Sequence, residues 1–236
     1  MRAAVRGTLG NMKPFALMVL LLGLFVTGGP AVRAQAADPL AGAALLDALR
    51  GGGYVLLFRH AATDQSQRDA DRKNLENCAT QRNLSDQGRE QAVAIGDGMR
   101  TVGVPVGVVL ASPYCRTLAT ARLAFGRAEA TNDLISESPD DSPGDRERLR
   151  AALRALLAQR SEPGTNTALV THVLNIETAL GFQIEEGEAI VVQPDESGGF
   201  TIVGRVLADG WAGLGAAADV APAPPVPVTG GPPASL

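Results

Sequence analysis

The stretch Tyr54-Val55-Leu56-Leu57-Phe58-Arg59-His60 decides the fold. Five apolar residues run without alternation, entered from Gly51-Gly52-Gly53 and left through an arginine and a histidine. A strand buried on both faces reads this way, and such strands belong to parallel sheets covered by helices. Ahead of it, Asp38 to Arg50 spaces Leu40, Ala44, Leu45 and Leu49 at helical intervals, and the glycines stop that helix.

The same alternation of elements continues downstream. Ala61 to Asn83 is polar and aperiodic, a long loop with room for a helical turn. Ser85 to Thr101 reads as a helix with Ser85 as its cap and Asp86 in its first turn. Val104 to Ala111 is a second buried strand, followed by the Ser112-Pro113 turn and a helix from Arg116 to Phe125. Asp133 to Asp141 is an acidic loop, and Ser142-Pro143 starts a helix that runs to about Arg160. Thr167 to Thr171 is a third buried strand ending on His172, and Val173 to Leu180 is helical, closed by Gly181. Ala189 to Gln193 and Phe200 to Val206 are later strands joined by a Gly-containing hairpin turn.

This order predicts an α/β protein, a three-layer sandwich with a mainly parallel central sheet flanked by helices. Ligands in such sheets bind beyond the carboxyl ends of the strands. Arg59-His60, Ser112 to Arg116, and His172 each follow a predicted buried strand, so all fall on one edge.

Composition narrows the function classes. The chain of 236 residues is 45% hydrophobic and 19% charged, enough for one domain with a real core. A net charge of −4 and 4% aromatic content give no general case for nucleic-acid binding. Residues 1–36 read as a signal peptide: Arg2, Arg6 and Lys13 precede the apolar run Phe15 to Val26, and Ala34-Gln35-Ala36 supplies a cleavage pattern. The expectation is export to a periplasmic or extracellular space, with no stable membrane insertion after cleavage; the alternative is a retained N-terminal anchor. Residues 37–215 form the expected domain, and 216–236, rich in Pro and Ala, read as a disordered tail. Cys78 and Cys115 are the only cysteines, and an oxidising compartment invites a disulfide between them, the alternative being two free thiols. Without CxxC spacing they make no structural zinc site, and no metal or cofactor is expected.

The chain has two histidines, both at strand ends. Together Arg59, His60, Arg116 and His172 make a cationic pocket suited to a phosphate monoester dianion, since arginine forks match phosphate oxygens bidentately. Histidine is a competent nucleophile when its second ring nitrogen is held by a hydrogen bond.

Four ordered blocks carry a family resemblance. They are Phe58-Arg59-His60-Ala61-Ala62-Thr63; Gln81 through Ala92; Ala111-Ser112-Pro113-Tyr114-Cys115-Arg116-Thr117 through Ala121; and Leu169-Val170-Thr171-His172 through Ile176. They resemble the histidine phosphatase superfamily, which includes the phosphoglycerate mutases, with Ala61 in place of the usual glycine. The resemblance implies that His60 is phosphorylated, that Arg59 and Arg116 clamp the phosphate, and that His172 contacts it. It implies peripheral roles for Thr63, as a hydroxyl donor or a loop cap, and for Asn175, as a substrate contact or a packing residue. Its usual carboxylic acid maps onto Ile135-Ser136-Glu137-Ser138, making Glu137 the candidate, with Asp64, Asp133, Asp140 and Asp141 as competitors. The short cap favours a phosphatase acting on a phosphorylated small molecule, glycan or protein. The alternatives are a non-catalytic phosphate-binding module and a phosphomutase. The oligomeric state is not readable from the sequence.

Overall fold

The computed structural model of the chain describes residues 39–216; the expected signal peptide and nearly all of the expected tail lie outside the described residues. The helices are α1 (Gly42–Gly51), α2 (Asp86–Thr101), α3 (Cys115–Phe125), α4 (Pro143–Ala158) and α5 (Val173–Leu180). The strands are β1 (Val55–Arg59), β2 (Val106–Ala111), β3 (Glu129–Ala130), β4 (Asn166–Thr171), β5 (Ala189–Pro194) and β6 (Phe200–Val206).

The six strands form one sheet in the order β3-β2-β4-β1-β5-β6. The β1–β4, β2–β4 and β2–β3 pairs are parallel, whereas β5 joins β1 antiparallel and β6 closes the far edge as a hairpin partner. Helices cover both faces. On one, Leu45, Leu49, Ile95, Met99, Ala121 and Trp211 pack against Leu56, Phe58 and Val170; on the other, Leu153, Leu157 and Ile176 pack against Leu57, Leu169 and Ile190. Burial on two faces is why β1 is apolar from Val55 to Phe58 and β4 carries Ala168-Leu169-Val170 at its centre.

The helix boundaries follow local chemistry. Ser85 accepts from the Gly88 amide and Ser142 from the Asp145 amide, each satisfying a donor that the first helical turn leaves free. Gly181 ends α5 at φ 84°, a left-handed position that a side chain disfavours. At Gly88 the need is close approach: a Cβ there would lie 1.8 Å from the Ala62 carbonyl oxygen. That contact seats α2 against the segment that follows His60.

The loop after β1 has little regular structure, as expected, with a single 3-10 turn at Cys78–Thr80. Cys78 and Cys115 are disulfide-bonded, with Cα atoms 5.7 Å apart. The bond ties this loop to the first residue of α3, beside Arg116. No helix among the described residues is long and apolar enough to cross a membrane.

Candidate active site

β2, β4 and β1 are neighbours and parallel, so their carboxyl ends meet at one edge. Arg59 ends β1 opposite Thr171, which ends β4, and the His60 amide donates to the Thr171 carbonyl at 3.0 Å. The His60 and His172 rings therefore lie 5.5 Å apart, edge to face.

His60 is 2% exposed. Its Nδ1 lies 2.9 Å from the Ala61 carbonyl oxygen, which can only accept, so Nδ1 carries the proton and Nε2 keeps its lone pair. Burial pushes the ring pKa down to about 3, the Ala61 bond opposing and Arg116, Arg59 and Arg82 reinforcing the shift. His60 is therefore neutral at physiological pH, the state a nitrogen nucleophile requires.

Arg116 is buried against the Tyr114 ring, 4.4 Å from its centroid. Its Nη1 donates to Asp69 Oδ1 at 2.9 Å and to the Arg82 carbonyl at 3.3 Å, and its Nη2 reaches His172 Nδ1 at 3.2 Å. Since a guanidinium only donates, His172 Nδ1 accepts and its Nε2–H donates to Ser112 Oγ at 2.8 Å. Burial, then Arg116, holds the His172 pKa well below its usual value. Arg59 donates from Nη1 to the Ile184 carbonyl at 2.8 Å, and its Nη2 sits 3.5 Å from Glu186 Oε1. The Nε atoms of Arg59 and Arg116 are both buried without an acceptor. Buried donors are ordinarily paired, and an anion's oxygens are the natural partners for these two.

The remaining expected residues fall around this group. Thr63 donates its hydroxyl to Glu186 Oε1 at 2.9 Å. Asn175 turns its amide to the acidic loop, accepting from the Glu137 amide at 3.2 Å and donating to the Ile135 carbonyl at 2.7 Å, so it braces that loop rather than facing a substrate. Glu137 is buried, but its carboxylate accepts from the Thr178 hydroxyl on α5 and has no ion-pair contact with His60, His172, Arg59 or Arg116. Arg72, which donates to Tyr114 Oη, also donates to the Ser136 and Glu137 carbonyls, so the loop that carries Glu137 is tied to the Tyr114 side of the pocket. The competitors Asp64 and Asp141 bond to Ser66, Gln67 and Ser138 in their own loops.

Four further residues join the site. Asp69 and Arg82 hold Arg116 from the loop after β1, and Arg72 donates to Tyr114 Oη at 3.0 Å and to the Ser136 carbonyl at 3.0 Å. Glu186 reaches the edge from the segment before β5. The four arginines 59, 72, 82 and 116 outnumber the two carboxylates, Asp69 and Glu186, that contact them, which leaves the site cationic. Among the described residues no group of three or more His, Cys, Asp or Glu side chains is arranged to hold a metal ion.

The geometry agrees with the family comparison. The model of the histidine phosphatase superfamily, branch 1, matches residues 55–139, a span that contains Arg59, His60, Arg116 and Glu137 and stops short of His172. No curated protein sequence matches the chain. Similar solved structures include the protein histidine phosphatase SixA complexed with tungstate, at 17% identity and TM-score 0.45, covering 66% of this chain and 97% of that one. A mycobacterial glucosyl-3-phosphoglycerate phosphatase in complex with inorganic phosphate is similar at 16% identity and TM-score 0.49, covering 67% and 99%. A phosphoserine phosphatase from Entamoeba histolytica in complex with 3-phosphoglyceric acid is similar at 15% identity and TM-score 0.49, covering 64% and 95%. Over residues 55–139 this chain is a match to the histidine phosphatase superfamily, branch 1, the family that its sequence resembles.

Proposed function

We propose that the chain is a metal-independent phosphomonoester hydrolase that forms a phosphohistidine on His60 Nε2. One observation carries the reading: a neutral histidine, with Nδ1 committed to a carbonyl, stands between two arginines that each hold a buried Nε without an acceptor. Phosphoryl transfer demands positioning and charge stabilisation, and this edge supplies both. In this reading Arg59 and Arg116 hold the equatorial oxygens, and His172 steadies Arg116 through its Nδ1 while its Nε2–H is held by Ser112. Nε2 attacks phosphorus, the alcohol leaves, and water then releases phosphate. Glu137 is the proposed proton donor, its carboxyl swinging off Thr178 towards the leaving oxygen.

The substrate classes proposed are phosphorylated small molecules, glycans or proteins. Export of the mature chain from residue 37 belongs to the same proposal. The Cys78–Cys115 bond supports it, because disulfides persist in oxidising compartments. The N-terminal residue of protein recovered outside the cytoplasm tests the cleavage site.

A screen of aryl and alkyl phosphates tests the activity. His60→Ala should abolish turnover of both. Glu137→Gln should slow alkyl esters, whose leaving oxygen needs a proton, more than aryl esters, which leave without one. Vanadate binding with no hydrolysis of any ester would point instead to a phosphate-binding module, and transfer to an added alcohol to a mutase.

A further inference from the structure

We propose that Glu186 is the counter-ion of the phosphorylated His60 ring, a positioning residue that acts through His60 and Arg59. This rests on the phosphohistidine reading above.

Glu186 Oε1 lies 2.9 Å from Thr63 Oγ1, 3.5 Å from Arg59 Nη2 and 3.9 Å from His60 Nδ1. It is the one carboxylate within 4.0 Å of the His60 ring among the described residues. Its backbone is pinned as firmly as its side chain. Gln91 Nε2 donates to the Glu186 carbonyl at 3.1 Å, and the Gly187 amide donates to the His60 carbonyl at 3.0 Å. The Gln91 carboxamide oxygen also accepts from the Ala62 amide at 2.9 Å, so one side chain ties the Glu186 segment to the residues after His60.

The chemistry gives this carboxylate a task. When the Nε2 lone pair forms the bond to phosphorus, the P–O ester bond breaks and its electron pair leaves with the alcohol oxygen, which takes the proton of the proposed donor Glu137. Nδ1 keeps its hydrogen because it faces the Ala61 carbonyl. The ring therefore becomes a phosphoimidazolium with a positive charge. Arg116, Arg59 and Arg82 bear on His60 as cations that oppose that charge. Glu186, beside Nδ1, offsets them. When water attacks phosphorus, the Nε2–P bond breaks, its pair returns to Nε2, the water yields its proton to the carboxylate of the proposed donor Glu137, and the ring is neutral again. Glu186 stands at the nitrogen turned away from phosphorus, so it serves the nucleophile and not the leaving group.

The experiment uses the whole chain and the Glu186→Gln variant, which keeps an oxygen to accept from Thr63 and removes only the charge. Quench-flow with an aryl phosphate reads the rate constant for phosphoenzyme formation, and titration with inorganic phosphate reads the Kd of the ground-state pocket. The expected result is phosphoenzyme formation about 10- to 100-fold slower, with phosphate bound as tightly as in wild type or more tightly, because a negative charge has left the pocket. Glu186→Asp should recover part of the rate. A role in packing alone would weaken phosphate binding together with the rate, and that result overturns the proposal. So does a rate constant within about twofold of wild type, while wild-type phosphohistidine then leaves the hydrolase reading standing. A wild-type protein that forms no phosphohistidine overturns both.

Discussion

Asn166 and Arg116 are both buried polar side chains at the rim of the same sheet, Asn166 at the amino edge where β4 begins and Arg116 at the carboxyl edge beyond β2. Asn166 Nδ2 donates to the Leu49 and Pro105 carbonyls, each at 2.8 Å, and Oδ1 accepts from the Tyr54 amide at 3.2 Å. Its amide thus clamps the entries to β1, β2 and β4, and every donor is used. At the opposite edge Arg116 and Arg59 each retain a buried Nε with no acceptor. Trp211 Nε1, buried in the apolar core, also lacks an acceptor, so what marks the carboxyl edge is two such donors carried by cationic side chains around His60. The contrast separates the structural edge from the chemical one without reference to any relative.

That separation can be broken by substitution. The largest effect expected is on turnover: Arg116→Gln should lower kcat for an aryl phosphate by about 10²- to 10³-fold, the loss typical of removing one donor to a developing charge. The same variant leaves His172 Nδ1 and the Arg82 carbonyl without that donor and frees the solvent-reached Asp69, so its stability should fall by about 1–3 kcal/mol while turnover falls much further. Asn166→Ala should behave in the opposite way. It leaves two carbonyls and an amide without partners and should lower the unfolding free energy by about 3 kcal/mol in urea titrations, with phosphate affinity unchanged. Equal effects of the two variants on both readouts would erase the distinction.

A smaller effect concerns acid. His60 has its folded pKa depressed to about 3 against a usual value of 6.5. Below 6.5 the unfolded chain binds a proton that the native ring refuses, so stability is fully present above that pH and is lost as pH falls from 6.5 towards 3. At pH 5 the loss attributable to this ring is about 2 kcal/mol. His60→Asn should flatten that part of the Tm-against-pH curve. A curve with the same acid slope as wild type would contradict the neutral, buried state of the ring.

The ends of β1 and β4 were legible from the sequence because burial on two faces concentrates apolar residues there, whereas β2 starts at Val106 rather than Val104 and leaves Val108 exposed, so it is less buried than expected. The caps at Ser85 and Ser142 were legible because capping is local chemistry. β3 was not: Glu129–Ala130 is two exposed residues long and carries no pattern. Glu186 was missed for a different reason. The Glu185-Glu186-Gly187-Glu188 run carries no apolar periodicity to single it out, and in an all-parallel sheet a segment preceding a strand lies at the amino edge. Because β5 runs antiparallel to β1, with Ala189 opposite Phe58, its entry falls instead beside Arg59 and His60. The direction of one strand moved a carboxylate into the site. Glu137 was legible for another reason, family position, and in the structure Asn175 braces its backbone while its carboxylate accepts from the Thr178 hydroxyl.

The central claim is that His60 Nε2 becomes covalently phosphorylated. Rapid quenching of the wild-type chain with a phosphate ester into alkali, which preserves phosphohistidine, followed by peptide mass spectrometry, tests it most directly. The account predicts phosphate on the peptide containing His60, absent in His60→Ala. Turnover of the ester with no phosphorylated peptide, or with phosphate on another residue, would contradict it.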